Sequence, residues 1–86
     1  MDYDLKNVTS VILGKKDTNS ILELIKATYH LGNRHVDLEI HSQKLFLLED
    51  SVLEKMLKSR GLLVQKIQKP FFPEIGAYSQ IHKHIQ

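Results

Sequence analysis

Apolar residues along this chain change their spacing from the two-residue repeat of a strand to the three-to-four-residue repeat of a helix and back, and that order limits the folds open to it. Residues Asn7 to Leu13 are rich in β-branched side chains and end at Gly14-Lys15-Lys16-Asp17, which predicts a strand and a turn, with Val8, Ser10 and Ile12 on one face. Asp17 and Thr18 offer N-caps, and Ser20 with Glu23 offers a capping box. Ile21, Leu22, Leu24, Ile25, Tyr29 and Leu31 then follow helical spacing up to a stop at Gly32-Asn33. Val36, Leu38 and Ile40 alternate with Asp37, Glu39 and His41, and Ser42-Gln43 turns this half-buried strand into another over Lys44 to Leu48. Ser51 with Glu54 opens a second helix, with an apolar stripe of Val52, Leu53, Met56 and Leu57 and a stop at Gly61. Leu62 to Ile67 reads as the last strand, and Pro70 and Pro73 hold the chain beyond it to an extended or irregular path.

Strand, helix, strand, strand, helix, strand is the split βαβ pattern of a ferredoxin-like fold, an α+β βαββαβ sandwich over residues 1–69, with an irregular or mobile tail over 70–86. Two crossover helices cover one sheet face, and the other is left to solvent, to the tail or to a second subunit. A core drawn from 86 residues is small, so part of that face is expected in a homodimer interface. The 12 Lys+Arg and 10 Asp+Glu are scattered without a basic stripe, which speaks against nucleic acid. There is no cysteine, which removes disulfides, thiolate metal sites and cysteine nucleophiles. The opening Met1-Asp2-Tyr3-Asp4 lacks the basic and apolar regions of a signal peptide, and no apolar run is long enough for a membrane span, so a cytoplasmic protein with no membrane partner is expected.

Histidine is the residue type that stands out: His30, His35, His41, His82 and His84. Imidazole is a good ligand for Ni, Cu and Zn. His30 and His35 bracket Leu31-Gly32-Asn33-Arg34 and so fall at one end of the molecule, although His30 also suits a helix C-terminus as a cation facing exposed carbonyls. His82-Lys83-His84 places two imidazoles on one side of an extended chain, where they can close on one metal ion or simply sit in a solvated tail. His41 ends a strand on its polar phase and is expected at the surface. Glu49-Asp50 is a carboxylate pair placed where a helix N-terminus favours negative charge. No nucleophile elbow surrounds a serine, and the Gly14 turn lacks a phosphate-binding fingerprint, so no enzyme is indicated.

Tyr29-His30-Leu31-Gly32-Asn33-Arg34-His35-Val36 closely resembles the YHLGNRHV signature of the urease accessory protein E family, the cytosolic nickel metallochaperones. Pro70-Phe71-Phe72-Pro73-Glu74-Ile75-Gly76-Ala77-Tyr78 is similar to the family's PFxPExGAY, and the agreement spans roughly residues 18 to 84. The resemblance implies a metal-binding domain that dimerises so that His35 meets its twin across a two-fold axis and shares one metal ion, with His82 and His84 in the place of the family's tail histidines. It implies Ni(II) as the metal, with Cu(II) or Zn(II) binding in vitro. It further implies delivery toward apo-urease in a complex with the accessory GTPase of the urease system, protein G. Where relatives carry an HHDH-like stretch, this chain has Leu48-Glu49-Asp50-Ser51, which puts an auxiliary metal site there in doubt. Relatives usually also carry an N-terminal peptide-binding domain, to which nothing here corresponds. A non-metal ferredoxin-like protein-interaction module is the other function that this fold pattern fits.

Overall fold

The computed structural model describes residues 4–14 and 18–75. Its elements run β1 (Lys6–Ile12), α1 (Thr18–Asn33), β2 (Glu39–His41), β3 (Lys44–Leu48), α2 (Ser51–Ser59) and β4 (Leu63–Lys69). The sheet is antiparallel throughout, in the order β2-β3-β1-β4. This is the α+β, ferredoxin-like βαββαβ arrangement.

Register sorts side chains onto two faces. Val11 pairs with Leu45 and with Val64, and Thr9 with Leu47, so these residues share the face against which the helices pack. Leu24, Ala27 and Leu31 from α1 and Leu53 and Leu57 from α2 complete a core cluster with Val11, Leu38, Leu45, Leu47 and Leu62. Burying such side chains is the main stabilising term, at roughly 25 cal/mol per Å² of apolar surface. Val8, Ser10 and Ile12 lie on the opposite face with Phe46, Leu48, Gln65, Ile67 and Lys69.

Several local expectations are corrected. Helix α1 begins at Thr18, so Ser20 lies within its first turn and does not cap it, and Asp17 lies outside the described residues. Only Leu24 and Leu31 of its expected apolar stripe are buried, joined by Ala27, whereas Ile21, Leu22, Ile25 and Tyr29 are exposed. Helix α2 is capped by Asp50, whose Oδ1 accepts from the amides of Val52 at 2.9 Å and Leu53 at 3.0 Å, and Ser51 is its first residue. A carboxylate at that position satisfies two orphan amides and meets the positive end of the helix dipole, which the Ser51 hydroxyl cannot match. Val52 is exposed.

The expected strand over Val36 to His41 pairs only from Glu39; Leu38 is buried and Val36 packs on the core as expected, but burial is reversed at Glu39 and Ile40. Ile40, opposite Leu45, lies beyond the helix layer and is 43% exposed, while Glu39, opposite Phe46, is 8% exposed. The cause is the segment after β4. Lys69 pairs with Lys6 at the far end of the β1–β4 ladder, yet the Glu74 amide donates to the Leu38 carbonyl at 2.7 Å beside β2. Residues 70–74 therefore cross β1 and β3 as a strap. The span is roughly 14 Å at three strand spacings, which five extended residues can cover. Pro70 and Pro73 favour the extended path.

Candidate metal site

Helix α1 runs through Gly32 and ends at Asn33, but neither of these residues takes the left-handed conformation that closes it. The His35 amide donates to the Gly32 carbonyl at 3.0 Å, and the Val36 amide donates to the Leu31 carbonyl at 3.0 Å. These are the two bonds of a Schellman stop, in which the residue after the cap adopts the left-handed conformation. That residue is His35, with φ 61°, the sole non-glycine at positive φ among the described residues. Leu31 is fully buried and Val36 packs against the same core cluster, so the apolar contact that accompanies such a stop selects its position.

The consequence is an imidazole carried by a backbone that two hydrogen bonds and a core contact hold in place. His35 is exposed. A left-handed L-residue costs roughly 1–2 kcal/mol, although histidine tolerates the region better than most. Glycine, the usual occupant, would avoid that cost. A side chain kept in a strained conformation at the surface is a mark of a functional position.

The other histidines divide. His30 is exposed in the last turn of α1, its ring edge-on to Tyr29 with centroids 5.4 Å apart. It therefore shares the end of the helix with His35. His41 is on β2, its Nε2 2.8 Å from Glu39 Oε2 and its ring edge-on to Phe46. His82 and His84 lie outside the described residues. Among the described residues no group of three or more His, Asp or Glu stands together as a metal cage. The carboxylates near α2 are committed elsewhere: Asp50 caps the helix, and Glu49 pairs with Lys66 at 3.3 Å.

The most structured polar cluster has no local signature in the sequence. Glu39 Oε1 accepts from Lys69 Nζ at 2.5 Å and from the Phe72 amide at 2.9 Å, while Oε2 faces His41. Lys69 Nζ also lies over the Phe46 ring, 4.5 Å from its centroid. Burial pushes the Glu39 carboxyl up, but the bonds from Lys69, the Phe72 amide and His41, with the charge of Lys69, outweigh it and hold its pKa down at about 2. His41 is two residues from Glu39, but the partners that bury the carboxylate are Lys69 and Phe72, 30 and 33 residues away and beyond the reach of any spacing rule.

A shallow groove of about 400 Å³ runs between α1 and the β2 edge, lined by Leu24, Ile25, Thr28, Tyr29, Ile40 and Leu45 among others. Ile25 is 60% and Tyr29 67% exposed. No helix among the described residues is long and apolar enough to cross a membrane.

Residues 6–86 match the family model described as UreE urease accessory protein, C-terminal domain. Among curated relatives, the urease accessory protein UreE of Synechococcus sp. (strain WH7805) is 59% identical over 66 residues, covering 77% of this chain and 38% of that protein. The protein of the same name from Parasynechococcus marenigrum (strain WH8102) is 60% identical over 65 residues, covering 76% and 43%. That of Azotobacter vinelandii (strain DJ / ATCC BAA-1303) is 53% identical over 62 residues, covering 72% and 37%. The chain thus aligns with about two fifths of the length of these relatives.

Proposed function

We propose, from the premise that this chain belongs to the urease accessory protein UreE family and corresponds to its C-terminal domain, that it carries Ni(II) as cargo for assembly of the urease active site. The family is one of accessory proteins and not of enzymes. The acting form is a cytoplasmic homodimer in which His35 of two copies shares one ion, with His82 and His84 of the tails as further ligands. Its partners are the urease accessory GTPase, protein G, and apo-urease.

The observation that carries this reading is the exposed His35 imidazole held at a left-handed helix stop. One imidazole is a single ligand, whereas Ni(II) bound by nitrogen and oxygen takes at least four, so the remainder come from a second copy, the tail and water. A pinned backbone loses little freedom when the ion binds, which favours selection. A site closed partly by tail histidines and water can open again, which favours release. The exposed Ile21, Leu22, Ile25 and Tyr29, on the helix that ends just before His35, supply apolar surface that a second copy would bury. Imidazole sites favour Cu(II) over Ni(II) and Zn(II) intrinsically, so nickel selectivity rests on supply and partner, and Cu(II) or Zn(II) will bind in vitro.

Calorimetric Ni(II) titration of the chain and of His35→Ala, with mass by light scattering on the same samples, tests this. One tight ion per two chains, absent in the variant, is expected. Unchanged affinity in the variant refutes the site. Weak binding by both leaves the protein-interaction module as the better reading.

A further inference from the structure

We propose that Glu39 is a positioning residue for metal carriage: by holding the strap 70–74 against the open sheet face, it starts the histidine-bearing tail beside His35. This rests on the nickel reading above and adds a residue to it. Glu39 binds the strap twice, through the Phe72 amide and through Lys69 at the strap's origin. Beyond it the Glu74 amide is bonded to the Leu38 carbonyl. Leu38 follows His35 by three residues, so the chain is delivered to within about 10 Å of the His35 backbone. His82 comes eight residues after Glu74, a reach of at most about 28 Å, ample to bring it to His35 of the same chain or of an adjacent copy.

Without the latch the tail's tether begins at Lys69, on the other side of the sheet from β2. The tether to His82 then grows from eight residues to thirteen and starts in the wrong place. A longer tether from a remote origin lowers the effective concentration of the tail imidazoles at His35. Glu39 thus acts on the ion through the tail, touching no metal itself. His41 braces Oε2 of Glu39, and the Phe46 ring beside it carries both Lys69 and Lys44 over its face.

The test has two arms, both on the full chain. In the first, without metal, amide hydrogen exchange of Phe72 and Glu74 is compared between the wild type and Glu39→Ala. Protection in the wild type and its loss in the variant, with the sheet amides unchanged, is expected; equal exchange in the two overturns the latch. In the second, Ni(II) is titrated into Glu39→Ala, His82→Ala/His84→Ala and the triple variant. A tether lengthened from eight residues to thirteen predicts affinity weaker by at least about 2-fold in Glu39→Ala, with the triple variant no weaker than His82→Ala/His84→Ala. An unchanged Glu39→Ala, or a further loss in the triple, overturns the positioning role. If His82→Ala/His84→Ala binds nickel as the wild type does, the tail supplies no ligand and the proposal falls while the His35 site stands. Glu39→Gln keeps the side-chain volume, gives a smaller effect in the same direction, and serves should the alanine variant fail to fold.

Discussion

Helices α1 and α2 both close on a left-handed residue, but a different one in each. Each stops on a left-handed residue whose amide bonds back to the third carbonyl before it: Gly61, φ 82°, to Lys58 at 3.0 Å, and His35, φ 61°, to Gly32 at 3.0 Å. Behind each, a buried leucine of the last turn, Leu57 or Leu31, shares the core cluster with the residue just past the stop, Leu62 or Val36. At Gly61 the residue suits the conformation. At His35 a conformation that glycine would occupy with less strain holds an imidazole at the surface instead. One end is occupied by the residue that suits its conformation, and the other gives up some stability to hold an imidazole at the surface.

The largest effect belongs to the Gly61 end. A Cβ on Gly14 would stand 2.6 Å from the Gly61 carbonyl oxygen, so Gly14→Ala is expected to destabilise by about 2 kcal/mol in denaturant unfolding. A change below about 0.5 kcal/mol would mean that this contact can yield. Acidification probes the strap and serves as a control on the comparison. Glu39 has its carboxyl held down at about 2 against an ordinary 4.5, so the stability it contributes is complete above pH 4.5 and is lost as pH falls from there through 2. The expected loss, about 1–2 kcal/mol after allowing for solvent screening, is the same in wild type and in variants of either helix end. Unequal loss would couple the strap to one of them. Gly61→Ala places a Cβ in the left-handed region with open space around it, and is expected to cost about 1 kcal/mol and leave metal binding untouched. The smallest effect has the opposite sign. His35→Gly is expected to raise stability by about 0.5–1 kcal/mol, read from the same unfolding curves.

Much of this architecture is written locally. The order of elements, the two-residue hairpin turn and the Gly61 stop follow from periodicity and turn chemistry, and His35 stands out through the motif around it. The conformation of His35 does not. Gly32 and Asn33 are better stop residues by type, and they lose because Leu31 and Val36 have a core contact to make that only the folded molecule reveals. Asp50 displaces Ser51 as a cap because one carboxylate oxygen reaches two amides. By its phase Glu39 is a solvated residue of an alternating strand, yet it is buried by a lysine and a strap that arrive from β4 across the sheet. Contacts made at a separation of 30 residues or more leave no local signature. The tail histidines, His82 and His84, lie outside the described residues.

The comparison of the two helix ends comes down to one substitution. Calorimetric Ni(II) titration of His35→Gly beside the wild type, with thermal melts of both, separates ligand from fold because glycine relieves the backbone as it removes the imidazole. The expected result is a variant that melts no lower than the wild type and binds nickel at least 100-fold more weakly. A variant that binds nickel as tightly as the wild type, or one that fails to fold, would contradict the account of His35 as a ligand held at some cost in stability.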